Sequence, residues 1–139
     1  MERVIAFFYC QNTPSSTETD RQMLEKKYGK NIRLFPIPCS GRLEPVHILR
    51  ALESFTDAAY LITCPEGTCR YFEGNLRARK RVIRAQQFIT AIGLEKERAG
   101  IYMRSAGNTK KLSEIVEELF EIASKLPPSP VFRYSEREV

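Results

Sequence analysis

The feature that most constrains this chain is the spacing of its short apolar runs. Four stretches, 3–9, 31–37, 58–63 and 100–104, have the length and composition of buried strands. Each is followed by a longer segment with helix punctuation or helical apolar spacing. The order is β-α-β-α-β-α-β-α, and the connections are too long for hairpins. Such an order favours a parallel sheet with helices on both faces, joined by right-handed crossovers.

The helices are read from their caps and apolar faces. Ser15 with Glu18 fits a capping box, so a first helix is expected over 17–28, with a thin apolar face of Met23, Leu24 and Tyr28. Gly29 suits its stop. Glu44-Pro45 reads as the first turn of a second helix, with Val46, Leu49, Leu52 and Phe55 on one face. Asn75 is the expected cap of a third helix running to about residue 92, with Leu76, Val82, Ile83, Ile89 and Ile92 inward. Asn108 caps a fourth, which turns Leu112, Ile115, Val116, Leu119, Ile122, Ala123 and Leu126 to the core. The prolines at 127, 128 and 130 cannot continue a helix, so 127–139 is read as a proline-rich tail, disordered or docked on a partner. Residues 1–126 then form one doubly wound α/β domain of flavodoxin-like type, with a roughly four-stranded sheet.

Composition narrows the class. With 42% hydrophobic and 28% charged residues in 139, the chain has the makeup of one soluble globular domain. No apolar run approaches the roughly 20 residues needed to span a bilayer. The patch at 4–9 is too short for a signal-peptide core, so the expected location is the cytoplasm. The net charge of +5 mixes 17 acidic with 22 basic residues, which suits an acidic protein partner better than nucleic acid.

In a reducing compartment, placed thiols are more often metal ligands or reactive groups than disulfides. There are four, Cys10, Cys39, Cys64 and Cys69, in the spacing Cys-x28-Cys-x24-Cys-x4-Cys. Each follows a predicted strand. Sheets of this kind bind ligands beyond the carboxyl ends of their strands, where strand order reverses. Free cysteine is also a common core residue, yet none of the four lies on a helix's apolar face. Four thiolates suit an iron–sulfur cluster or tetrahedral zinc. Zinc usually takes two short-spaced pairs, and only Cys64…Cys69 is short. A redox dithiol wants Cys-x-x-Cys, which is absent. The ranking is therefore iron–sulfur cluster, then zinc, then thiols without metal.

The remaining candidates are weaker. His47 is the only histidine and is read as a surface or packing residue. The basic run 77–84 is either a solvated face or a docking surface for an acidic electron-transfer partner. Arg42 and Arg70 stand close to cysteines in sequence, where a cation stabilises the reduced form of a negatively charged cluster; the alternative is a solvated loop arginine. A thiol nucleophile at Cys64 or Cys69 has no histidine base within the turn. No P-loop, dinucleotide glycine fingerprint or Ser/His/Asp arrangement is present.

Two loop motifs carry a family resemblance. Cys39-Ser40-Gly41-Arg42 precedes a Glu-Pro helix start, and Cys64-Pro65-Glu66-Gly67-Thr68-Cys69-Arg70-Tyr71 leads into Glu73-Gly74-Asn75. Together they resemble the delta subunit of methyl-viologen-reducing hydrogenase, over residues 4–126. The resemblance implies a small electron-transfer protein with a [2Fe–2S] cluster. Its partners would be a heterodisulfide-reductase-like flavoprotein and a hydrogenase, formate dehydrogenase or methylenetetrahydrofolate-reductase-type enzyme, in a hetero-oligomer often used for electron bifurcation. Cys39, Cys64 and Cys69 match that family's loop cysteines, and Cys10 the first of its N-terminal pair. Three departures stand out: Thr13 replaces the second cysteine of that pair, Arg70 stands where histidine is frequent, and Pro65-Glu66-Gly67 carries an inserted residue. The alternative is an interaction protein that binds zinc or no metal and bridges larger partners.

Overall fold

The computed structural model describes residues 3–10, 16–37, 43–54, 56–65, 72–104 and 110–130. Among them, strands β1 (Ile5–Cys10), β2 (Ile32–Ile37), β3 (Ala58–Pro65) and β4 (Ala99–Arg104) alternate with helices α1 (Glu18–Tyr28), α2 (Pro45–Ser54), α3 (Phe72–Ala91) and α4 (Leu112–Ala123). All strand pairs are parallel, in the order β2-β1-β3-β4. The expected α/β architecture is thus the observed one, and it is consistent with a flavodoxin-like fold.

Side chains alternate across the sheet and build two cores. On one face Ile5, Phe7, Tyr9, Ile32, Leu34, Tyr60 and Ile62 pack with Leu24 of α1 and with Leu112, Ile115, Val116 and Ala123 of α4. On the other, Ala6, Ala59, Leu61 and Ala99 pack with Ile48, Ala51 and Leu52 of α2 and with Ala78, Val82, Ala85 and Ile89 of α3. Tyr28 reaches Phe120 at 5.0 Å between ring centroids and ties α1 to α4.

The helix details correct several expectations. α1 is capped by Thr17 with Asp20, not by Ser15 with Glu18. The Asp20 amide donates to Thr17 Oγ1 at 3.2 Å, and Asp20 Oδ2 accepts from the Thr17 amide at 3.0 Å. Starting there releases Glu18 to pair with Arg21, which also reaches Glu25 at 2.9 Å. Gly29 does stop the helix, at a φ of 61° that favours glycine.

In α2 the buried stripe is Ile48, Ala51 and Leu52, while Val46 is exposed; Phe55 lies outside the described residues. The helix carries apolar residues all round one half, so contact with the sheet rather than spacing selects the face. α3 begins at Phe72, which places Asn75 inside the helix rather than at its cap. Its small residues Ala78 and Ala85 are buried with Val82 and Ile89, whereas Ile83 and Ile92 are exposed. Alanines let the helix lie close on the sheet, a contact that counting large apolar residues misses. α4 begins at Leu112, with Lys111 at the cap position, its amide 3.3 Å from Glu114 Oε1. Its inward residues are as expected except Ile122, which is exposed. Asn108 lies outside the described residues.

At the amino edge of the sheet a buried polar network fastens the residues before β1 to the segment that follows α4. The carboxylate of Asp57 accepts from the Val4 amide at 2.8 Å and the Ser129 amide at 2.7 Å. The buried Arg98 donates to the Asp57 carbonyl at 3.0 Å and the Pro127 carbonyl at 2.8 Å, and pairs with Glu95. Arg3 donates to the Leu126 carbonyl at 2.6 Å. The start of the proline-rich stretch is therefore held against its own domain.

Tyr60 sits beside Gly100, where any Cβ would come within 2.8 Å of its ring, and its hydroxyl donates to the Glu97 carbonyl at 3.0 Å. Burial, helped by the charge of Glu97, pushes its phenol up to about 12. The folded chain thus keeps this proton at pH values where the unfolded chain loses it. The linked stability is complete below about pH 10 and falls as pH rises through about 12. Across that window the chain is expected to lose on the order of 2 kcal/mol from this group. Urea unfolding from pH 9.5 to 12 checks it, and Tyr60→Phe should flatten that part of the profile (~1 kcal/mol less stable at neutral pH).

Candidate metal centre

Strand order places the reversal point between β1 and β3. From β1 the chain crosses to β2 on one side, then returns past β1 to β3 and β4 on the other. The crevice beyond the carboxyl ends of β1 and β3 is where such folds hold ligands. Cys10 is the last residue of β1, and Cys64 the next to last of β3. The pairing of Tyr9 with Ile62 sets them at the same sheet edge.

Cys10 is buried and, by strand alternation, shares a sheet face with Ala6 and Phe8. Its register partner is Ile37, the last residue of β2. Two residues earlier, Phe8 stacks on its own partner Phe35 with ring centroids 5.2 Å apart, giving that end of the sheet a firm apolar floor. Tyr9 is also buried, which raises its phenol above the ordinary range even though Arg21 nearby opposes the shift.

The third strand is irregular where it reaches the cysteine. Ile62 pairs with Tyr102 and Pro65 with Arg104, so Thr63 and Cys64 together face the single residue Met103. That two-against-one count is the pattern of a β-bulge, an irregularity that bends a strand and recurs beside functional sites. Thr63 is buried, and its hydroxyl donates to the Tyr102 carbonyl at 3.3 Å across the bulge. Sequence reading missed this role for Thr63. A signal was present in Pro65, which has no N–H for the ladder and marks strand ends and bulges.

Cys39, Cys69, Arg42 and Arg70 lie outside the described residues. The described residues contain no group of three or more His, Cys, Asp or Glu able to hold a metal. His47 makes a local cap, its Nδ1 accepting from the Glu44 amide at 2.9 Å. A cleft of about 510 Å³ beside α1 and β2, lined by Arg21, Glu25, Arg33, Leu34 and Phe35, contains none of the cysteines. No helix among the described residues is long and apolar enough to cross a membrane.

The family model for the methyl-viologen-reducing hydrogenase delta subunit matches residues 5–126. The chain belongs to that family. Among relatives, the vhu iron-sulfur subunit of the F420-non-reducing hydrogenase of Methanopyrus kandleri is 30% identical over 127 residues, covering 91% of this chain and 96% of that protein. The iron-sulfur subunit of the F420-non-reducing hydrogenase of Archaeoglobus profundus is 32% identical over 105 residues, 76% of this chain and 77% of that one. A different arrangement occurs in a much larger chain, from the ferredoxin:CoB-CoM heterodisulfide reductase of Methanosarcina mazei. There, 99 residues are 34% identical, covering 68% of this chain but only 12% of the larger protein. The family's domain thus occurs both as a chain of its own and as a segment of a heterodisulfide reductase polypeptide.

Proposed function

We propose that this chain is an iron–sulfur electron-transfer subunit, with one [2Fe–2S] cluster held by Cys10, Cys39, Cys64 and Cys69. The observation that carries the reading is the convergence of Cys10 and Cys64 on the reversal point of the sheet, with the bulge at Cys64. Covalent reach supports the other two ligands. Cys39 follows Ile37 by two residues and Cys69 follows Pro65 by four, at most about 7 and 14 Å of extended chain. Thiolate is the donor such a cluster requires, and four is the number. Once bound, the cluster supplies one-electron redox chemistry. The chain's own part is to fix Cys10 and Cys64 at the ends of β1 and β3, exclude water through the buried side at Cys10, and supply Arg42 and Arg70 as cations close in sequence to the ligands.

The relatives' names support the setting. Iron-sulfur subunits of hydrogenases, and a heterodisulfide reductase that carries a similar segment, are the setting in which a hetero-oligomer is proposed for this chain. In it, electrons pass between a hydrogenase or similar oxidoreductase and a heterodisulfide-reductase-like flavoprotein. A second reading rests on Thr13, which replaces a cysteine of the family pattern. In it the site holds zinc or no metal, and the chain only bridges larger partners.

Iron, acid-labile sulfide and zinc, measured on anaerobically purified protein, separate the two readings. The expected result is about two irons and two sulfides per chain, with a paramagnetic signal of a reduced [2Fe–2S] centre after dithionite. Stoichiometric zinc, or no metal under anaerobic handling, overturns the electron-transfer reading in favour of the bridging one.

A further inference from the structure

Helix α3 carries a second stripe that the core does not use. Its buried residues recur as Ala78, Val82, Ala85 and Ile89. Shifted by one position, Arg77, Arg81, Arg84, Phe88 and, just past the helix, Ile92 recur with the same helical spacing, so they share one flank. Phe88 is 45% and Ile92 71% exposed, high values for large apolar side chains. Arg84 lies over the Phe88 ring at 4.7 Å. Arg81 donates to the Leu43 carbonyl at 3.0 Å and reaches Glu44 at 3.4 Å, which fastens the stripe to the start of α2. Lys80 is exposed beside it.

Charge is distributed by face. α3 carries five basic residues and one acidic, while α4 on the opposite face carries four glutamates and no lysine or arginine. Because α3 runs antiparallel to the strands, its arginine half lies toward the cysteine edge and its Phe88–Ile92 half toward the amino edge.

We propose that this flank of α3 docks an acidic protein surface on the heterodisulfide-reductase-like redox partner, with its arginines nearest the cysteine edge and Phe88 and Ile92 seated in an apolar pocket. The surface rests on the electron-transfer reading above. Arginine and aromatic residues are the types that carry protein–protein binding energy, with charge around an apolar anchor. A nucleic-acid site needs cations along its whole length to meet phosphates, and the Phe88–Ile92 half supplies none. The acidic α4 of a second copy is a complement in charge alone. Pairing α3 of one copy with α4 of the next is heterologous, however, and builds open chains unless the rotation closes.

The experiment measures binding of the full chain to the purified heterodisulfide-reductase-like flavoprotein of the same organism, by biolayer interferometry at about 0.05 and 0.3 M salt. Circular dichroism confirms that each variant is folded. The expected result is binding that weakens with salt. Arg77→Glu with Arg84→Glu should weaken it by about tenfold or more and flatten its salt dependence. Phe88→Ser with Ile92→Ser should weaken it similarly while keeping the salt dependence, and Glu117→Lys with Glu121→Lys should leave it unchanged. Folded α3 variants that bind like the wild type, or a wild-type chain that does not bind, overturn the proposal. So does an α3 stripe needed instead for self-association in sedimentation, or for retention of duplex DNA. Iron and sulfide on the same preparations keep the two readings apart. A cluster with α3-independent binding sinks only the surface; α3-dependent binding without a cluster sinks only the electron carrier.

Discussion

Replacing Cys64 by serine is expected to abolish the visible absorption of the anaerobically purified protein, and Cys69→Ser should do the same. The reason is the donor set: four thiols are the number a [2Fe–2S] centre needs, and this chain has no fifth cysteine to substitute. Helix content should stay essentially unchanged, because both cores are built from residues nearer the middle of the strands and from the four helices. Absorption and far-ultraviolet circular dichroism on the same samples check both halves of the expectation. Full absorption in both variants would sink the ligand assignment. Cys10→Ser is a less clean probe, since that side chain is buried and a hydroxyl there carries its own packing and desolvation cost.

The largest stability effect is expected at the opposite edge. Asp57→Ala removes the acceptor of two backbone amides, Val4 at 2.8 Å and Ser129 at 2.7 Å, in a wholly buried position. Hydrogen bonds to a charged acceptor contribute more than neutral ones, and a buried donor left unsatisfied costs its full desolvation. Together these predict a loss of about 3–5 kcal/mol, measured by urea unfolding. Asp57→Asn keeps one acceptor oxygen and should cost clearly less. A change within about 0.5 kcal/mol for the alanine variant would show that the network is incidental. The site prediction is separate: well below its melting temperature, Asp57→Ala should retain any absorption of the proposed centre, because the network lies at the amino edge and Cys10 and Cys64 at the carboxyl edge.

Much of this protein was legible in its residues. Four apolar runs with long connections were enough for a parallel α/β sheet, because hairpins and crossovers demand different lengths of chain. Gly29, Pro45 and the period of α4 also read correctly, since each depends on backbone chemistry within a few residues. The two loop motifs around Cys39 and Cys64–Cys69 were enough for the family. What the residues left open were choices between faces and registers. Thr17 and Ser15 each have an acidic residue three positions on, and only the packed helix selects one. α3 presents Ile83 and Ile92 as plausible core residues, yet close approach to the sheet favours Ala78 and Ala85, leaving a basic and apolar flank for another surface. The bulge at Thr63–Cys64 and the Asp57–Arg98–Ser129 network involve partners 29 to 72 residues apart for their long-range bonds. Local propensity carries no information about such contacts. They exist because strand order brings those backbone groups together, and burial then requires each of them to be satisfied.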